Sequence, residues 1–315
     1  MAKEERVCQF YKLSVRKDGD VFPCCLGRQS SRLGNIFDND IFEKIETKNV
    51  DCSCALYKTR DITPDDKINL QKLHIMFSHE CQASCVCCHQ QKEKMPREEE
   101  HLNLLLEVIK RYRPKFITVL GGEVLIQPKT LDWVEYVKNQ YPEISFDIIT
   151  NLCVGEKTIQ RAAKIFDDIT ISILGFSPLT YKEIMGLDFE LTMRNFNYLQ
   201  NNTDIKLRPK YLAMPTNLYE LPAFFNWALN QKSEKIYLHS VFELAECCNL
   251  NHPFWKKTFS QIESKLKTIL IDNKEKIISQ NRHYISIRDL LAKLLNINEE
   301  YINSQGFRDI IKITS

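Results

Sequence analysis

From Leu73 onward the chain alternates between two hydrophobic periods. Short apolar runs with a period near two (LHIMFS, KFITVL, ISFDIIT, DITISIL, IKLRPKYLAM and KIYLHSV) predict strands. Between them, EEEHLNLLLEVIKRY, TLDWVEYVKNQY, EKTIQRAAKIF, YKEIMGLDFELTMRNFNYLQ and LYELPAFFNWALNQ repeat their apolar positions every three to four residues and predict helices. About six strand–helix units in succession argue for an α/β protein whose parallel sheet is wound as a partial (β/α)6 TIM-type barrel.

The flanks read differently. Residues 1–66 are short-patterned and turn-rich, with Lys17-Asp18-Gly19-Asp20 a tight turn between two brief extended runs. The polar stretch Thr59 to Lys67, which contains Pro64, predicts a linker. Beyond about Phe242 the pattern becomes helical and polar, clearest in WKKTFSQIESKLKTIL. Three parts are expected: a small Cys-rich metal module at 1–66, the barrel at 67–245, and a helical C-terminal extension at 246–315.

Composition narrows the function classes. At 315 residues and 43% apolar content the chain buries a sizeable core. Lys and Arg total 43 against 41 Asp and Glu, a balance that gives no bulk reason to expect a nucleic-acid or membrane partner. No apolar run reaches the roughly 18 residues of a membrane span, and MAKEERVCQF lacks a signal-peptide core, so a cytoplasmic location is expected. In that reducing compartment the 12 cysteines read as metal ligands more readily than as disulfides, and nine of them precede residue 90.

Three of these, Cys81, Cys85 and Cys88, stand in a C-x3-C-x2-C spacing directly after the first barrel strand. Three thiolates hold three irons of a [4Fe–4S] cube and leave the fourth open to a small molecule. Zinc on the same loop, with Cys87 as fourth ligand, is the rival reading. The spacing and its place resemble the radical SAM superfamily. The resemblance implies that S-adenosylmethionine chelates the open iron and is reductively cleaved to methionine and a 5′-deoxyadenosyl radical, which abstracts a hydrogen atom from a substrate.

Later strand ends carry further points of resemblance. KFITVL runs into Gly121-Gly122-Glu123, similar to the family's GGE motif, which is expected to bind the cofactor's methionine amino group; glycines allow close approach and a carboxylate suits an ammonium. Val124 stands where the family usually has Pro. Thr150-Asn151 resembles the family's TN, and Ser172 its strand-four serine toward the cofactor's carboxylate or ribose, with Leu174 replacing the usual Asp. Asn217 resembles the family's N-x-x-E-L, and an N-cap paired with Glu220 explains it equally well.

At the N-terminus, Cys8, Gly19, Cys24, the LGNI at 33–36 and Cys52-x-Cys54 resemble the SPASM or twitch auxiliary-cluster module, although that module normally follows the barrel. The resemblance implies a second [4Fe–4S] cluster on Cys8, Cys24, Cys52 and Cys54, with Cys25, Cys247 or Cys248 as substitutes; zinc on the same thiolates is the alternative. Cys153 is a candidate hydrogen-atom donor or an inert buried thiol, and His239 a candidate substrate contact or a structural residue. An auxiliary cluster implies oxidation, epimerisation or bond formation. No winged-helix-like leader reader precedes the Cys module, which favours a small-molecule or carbohydrate-like substrate over a ribosomal peptide. The reductant implied is a flavodoxin or ferredoxin. A non-catalytic zinc or nucleic-acid-binding protein is the reading from another class.

Overall fold

The computed structural model describes residues 4–8, 12–23, 32–46, 57–61, 70–88, 90, 92–214, 216–240, 269, 277–279 and 312–313; the backbone alone is described at 4–8, 57–61, 218, 239–240, 277–279 and 312–313. In chain order the strands are β1 (Glu4–Cys8), β2 (Lys12–Val15), β3 (Asp20–Phe22), β4 (Gly34–Asn35), β5 (Tyr57–Asp61), β6 (Lys72–Met76), β7 (Phe116–Leu120), β8 (Ser145–Thr150), β9 (Asp168–Ile173), β10 (Lys206–Ala213), β11 (Ile236–Ser240), β12 (Ile277–Ser279) and β13 (Lys312–Ile313). The helices are α1 (Ile41–Glu46), α2 (Glu98–Tyr112), α3 (Pro128–Gln140), α4 (Glu156–Ile165), α5 (Pro178–Met185), α6 (Phe189–Asn202) and α7 (Leu221–Leu229). From β6 to β11, every strand is followed by helix before the next, the connectivity of a partial (β/α) barrel. The six strands expected from the apolar runs are all present.

The chain divides into two compact units. One comprises Met1–Gln82, His89–Ile149 and Gln160–Asp167; the other comprises Ala83–Cys88, Thr150–Ile159 and Asp168–Ser315. In the first, β6, β7 and β8 pair in parallel, and β2 joins them by pairing in parallel with β6, Leu13 beside Leu73. The antiparallel β3 and β4 follow β2, and β1 pairs with β5 separately. The turn expected at 17–20 is a hairpin turn in which Gly19 has φ 87 and donates its N–H to Arg16 O at 2.9 Å. The hairpin therefore continues the parallel sheet. The linker expected from Thr59 begins inside a strand, since β5 extends to Asp61.

Alternation builds this unit's core. Leu13, Val15, Leu73, Ile75, Ile117, Val119, Phe146 and Ile148 all point to one face and are buried, as period-two apolar positions require. Helix α2 spans the predicted EEEHLNLLLEVIKRY: Glu98, Glu99 and Glu100 open it and Lys110 and Arg111 close it, matching the helix dipole. Arg161 on α4 pairs with Asp132 and Glu135 of α3 at 2.6 and 2.7 Å.

In the second unit β9, β10, β11 and β12 pair in parallel, with β13 antiparallel at the edge. Leu207, Tyr211 and Ala213 are buried on one face of β10, where the Tyr211 ring packs 4.8 Å from Phe224 of α7. Pairing of β10 to β11 starts at Lys210, so Pro209, which lacks an N–H, sits where the strand is flanked by β9. The single helix expected over 181–200 is two. Gly186, left-handed at φ 69, ends α5, and Asp188 caps α6 by accepting from Leu191 N at 3.1 Å. Within 246–315, expected to be helical, the described residues include the strands β12 and β13, the former built on the β-branched pair Ile277-Ile278.

Candidate active site

In the first unit the segment after β6 leads to Cys81 and is fixed by backbone bonds. Phe77 N donates to Leu120 O at 3.3 Å and His79 N to Glu93 O at 2.8 Å. The glycine pair at the end of β7 lies directly against it. Gly121 (φ 100) and Gly122 (φ 38) are both left-handed, and a Cβ on them would fall 2.3 Å from Ser78 O and 2.0 Å from Glu80 O. No residue with a side chain fits either place. Glu123 N donates to Glu80 O at 2.7 Å, closing the contact. The close approach expected of these glycines is thus made first to the chain's own backbone, just before Cys81.

Glu123 is fully buried, and its Oε1 accepts from Leu125 N at 3.0 Å, capping the single 3-10 turn Val124–Ile126. The expected role toward an ammonium belongs to a carboxylate that already holds its own loop. Gln127 Nε2 donates to Glu123 O at 3.2 Å and stiffens the same corner.

In the second unit the rest of the cysteine loop docks on the end of α5. Ser84 N donates to Met185 O and Val86 N to Ile184 O, both at 2.9 Å, so loop amides satisfy two carbonyls that a helix C-terminus leaves open. Cys88 N donates to Cys85 O at 3.0 Å across a turn, the local reason for the two-residue spacing. Cys81, Cys85 and Cys87 are partly buried and Cys88 is exposed, all as thiols. Burial pushes the Cys87 thiol up. Three thiolates in this spacing fit the ligand chemistry of an iron–sulfur cluster. Among the described residues no group of three His, Cys, Asp or Glu side chains is arranged to hold a metal ion.

The TN pair ends β8 as a double turn. Leu152 N donates to Thr150 Oγ1 at 2.8 Å and Cys153 N to Asn151 Oδ1 at 2.9 Å, with Leu152 held at φ 61. Cys153 Sγ donates to Asp188 O at 3.6 Å, at the start of α6. Asn217 is fully buried: its Nδ2 donates to Leu174 O at 2.7 Å and Leu212 O at 2.9 Å, and its Oδ1 accepts from Met214 N at 2.7 Å. Glu220 accepts from Phe176 N at 2.6 Å and Ser177 Oγ at 2.7 Å, so this motif ties strand and helix ends together.

Ser172 lies on the face of β9 opposite its buried isoleucines, in register with Lys210 of β10, which is in turn in register with Tyr237 of β11. Lys210 is a position that sequence reasoning does not single out. Its signal is present in KLRPKYLA, where Lys206, Arg208 and Lys210 occupy every second position of an otherwise apolar strand. Of the N-terminal ligands, Cys8 is described by its backbone in β1, while Cys24, Cys25, Cys52 and Cys54 lie outside the described residues, as do Cys247 and Cys248; His239 is described by backbone alone.

Comparison with known proteins bears on this arrangement. Residues 75–208 match the model of the radical SAM superfamily. Over 247 residues the chain is 22% identical to a probable GTP 3′,8-cyclase of Sulfurisphaera tokodaii, covering 75% of this chain and 74% of that protein. The crystal structure of Streptococcus suis SuiB bound to precursor peptide SuiA superposes with a TM-score of 0.54 at 12% identity, covering 76% of this chain. Histidine-tagged anSMEcpe with bound AdoMet gives 0.51 at 13% identity, covering 64%. The chain spans 60% and 58% of those two structures' lengths.

Proposed function

We propose that the chain, whose residues 75–208 match the radical SAM superfamily model, is a radical SAM enzyme that abstracts hydrogen from a small-molecule or carbohydrate-like substrate, leading to oxidation, epimerisation or bond formation. The observation that carries the proposal is the cysteine loop itself, anchored at Ser84 and Val86 on α5 and, before Cys81, by the Gly121-Gly122-Glu123 corner. When bound, a [4Fe–4S] cluster supplies the electron that splits the sulfonium of S-adenosylmethionine into methionine and the 5′-deoxyadenosyl radical.

The chain's own residues do the holding. Cys81, Cys85 and Cys88 offer the thiolates; Gly121 and Gly122 set the path of the backbone into Cys81; Ser172 offers a hydroxyl for the cofactor's carboxylate or ribose. Thr150 and Asn151 shape the loop that follows β8. A small-molecule substrate is supported by the relative at 22% identity, whose name denotes action on GTP. A peptide substrate is the second reading, motivated by the precursor peptide in the SuiB structure. Auxiliary iron at Cys8, Cys24, Cys52 and Cys54 and a flavodoxin or ferredoxin donor complete the proposal.

The test is anaerobic reconstitution of the full chain with iron and sulfide, reduction, and chromatography for 5′-deoxyadenosine after adding S-adenosylmethionine. Formation of 5′-deoxyadenosine, lost in Cys85→Ala, is expected. Its absence with GTP, sugars and peptides alike would overturn the proposal.

A further inference from the structure

Among the described residues, the face of the β9–β10–β11 sheet opposite Tyr211 and α7 carries a charge with no counter-charge. On β10, Arg208 pairs with Asp168 at 2.8 Å, so those two residues neutralise one another. Two positions on, Lys210 has no carboxylate within ion-pair distance among the described residues, and the ionisable group acting on it is the Cys87 thiol of the cysteine loop. Lys210 is half-buried on this face, and desolvation lowers its pKa to about 8, with Cys87 opposing the shift. It remains chiefly an ammonium at neutral pH. Its register neighbours on this face are Ser172 and Tyr237, each bringing a hydroxyl.

Withdrawing an ammonium from water without an anion is costly, and the cost is recovered when a bound group supplies one. A lysine between two hydroxyl-bearing residues, beside Cys87, is a site for an anionic oxygen group. We infer that Lys210, with Tyr237 on the neighbouring strand, anchors a carboxylate or phosphate group of the substrate beside the cysteine loop, while Ser172 on its other side is left to the cofactor. Asp168 is not its partner, because it lies in register with Lys206, four residues back along β10, and pairs there with Arg208. Lys210 is a binding and positioning residue in this assignment. The assignment deepens the preceding reading and depends on it for the identity of the bound molecule as substrate.

Equilibrium binding tests it without any turnover. Inorganic pyrophosphate and malonate are titrated calorimetrically into the anaerobically reconstituted full chain, into Lys210→Met and into Lys210→Arg, with S-adenosylmethionine titrated in parallel. One probe is expected to bind the unaltered protein, to bind Lys210→Met about 10-fold more weakly, and to recover within about 3-fold in Lys210→Arg, as a charge-assisted hydrogen bond requires. S-adenosylmethionine affinity is expected to stay within about 2-fold throughout. Lys210→Gln replaces the Met variant if the latter fails to fold by circular dichroism.

Anion binding unchanged by loss of the charge, or no binding of either probe to the unaltered protein, overturns the inference. So does a parallel fall in S-adenosylmethionine affinity with loss of Lys210, which would assign the anion to the cofactor's carboxylate. Anion binding at Lys210 in a protein that forms no 5′-deoxyadenosine would sink the preceding reading while leaving the anion site standing.

Discussion

Gly122 shows how narrowly one position can be determined. A methyl group there would lie 2.0 Å from Glu80 O while the backbone holds φ 38, so Gly122→Ala meets both a clash with main chain and a left-handed penalty. Loss of about 1–3 kcal/mol is expected, with displacement of the segment that enters Cys81. Urea unfolding checks the first effect. Iron content and visible absorbance after reconstitution check the second, which is expected to fall further than an equally destabilising core substitution elsewhere. His101 on α2 is the opposite case, a buried residue with no evident chemistry. Among the described residues neither ring nitrogen has a hydrogen-bond partner, Phe37 packs edge-on at 5.6 Å, and burial lowers its pKa from 6.5 to about 4 against a weaker opposing pull from Asp18. The unfolded chain therefore takes up the proton first. Stability contributed here is intact above about pH 6.5 and falls as pH drops toward about 4, by at most about 1.4 kcal/mol per unit. His101→Leu is expected to flatten that acid limb in urea midpoints measured between about pH 4 and 7. An unchanged slope would remove His101 as its source.

At the scale of elements, the ends of strands hold most of what the sequence hid. Asn217 in sequence fits both a cofactor motif and a helix cap; its three hydrogen bonds to Leu174, Leu212 and Met214 make it a staple between the ends of β9 and β10. Asn217→Ala removes all three and leaves buried carbonyls unpaired, so a loss of about 2–4 kcal/mol is expected, read as a lower urea midpoint with unchanged m-value. A loss under about 1 kcal/mol would show that the strand ends hold together by other means. Strands and helices are legible because their periods differ: α2 coincides with its predicted stretch, and each expected strand from LHIMFS to KIYLHSV appears. The break between α5 and α6 is not, because the apolar spacing continues across Gly186-Leu187-Asp188 while the left-handed glycine and the Asp188 cap interrupt the backbone. Lys210 escapes notice for a related reason. A charged residue in a strand pattern reads as a solvated position until the register places it beside Ser172 and Tyr237.

For the molecule as a whole, the question with the largest chemical consequence is how much iron the chain carries. Spacing in the sequence singles out Cys81, Cys85 and Cys88, and the fold supplies local reasons for their placement: backbone bonds hold the segment before Cys81, Ser84 and Val86 are anchored on either side of Cys85, and a turn from Cys85 brings in Cys88. The N-terminal cysteines are argued from spacing and from the Gly19 hairpin, whose turn separates Cys8 from Cys24 in sequence. If both sets hold four-iron clusters, the reconstituted full chain binds about eight irons. Replacing Cys81, Cys85 and Cys88 by Ala is then expected to leave about four irons and abolish 5′-deoxyadenosine formation. Replacing Cys8, Cys24, Cys52 and Cys54 also leaves about four, but uncoupled cleavage of S-adenosylmethionine should persist, because the electron enters through the other set. Zinc at the N-terminal thiolates predicts a different ledger, about four irons and one zinc in the unaltered protein, with iron unchanged when those four cysteines are replaced. Plasma emission analysis separates the two arrangements in the unaltered protein, about eight irons against about four irons and one zinc, and in the Cys81/Cys85/Cys88 variant, about four irons against one zinc and no iron; the N-terminal variant gives about four irons in either case.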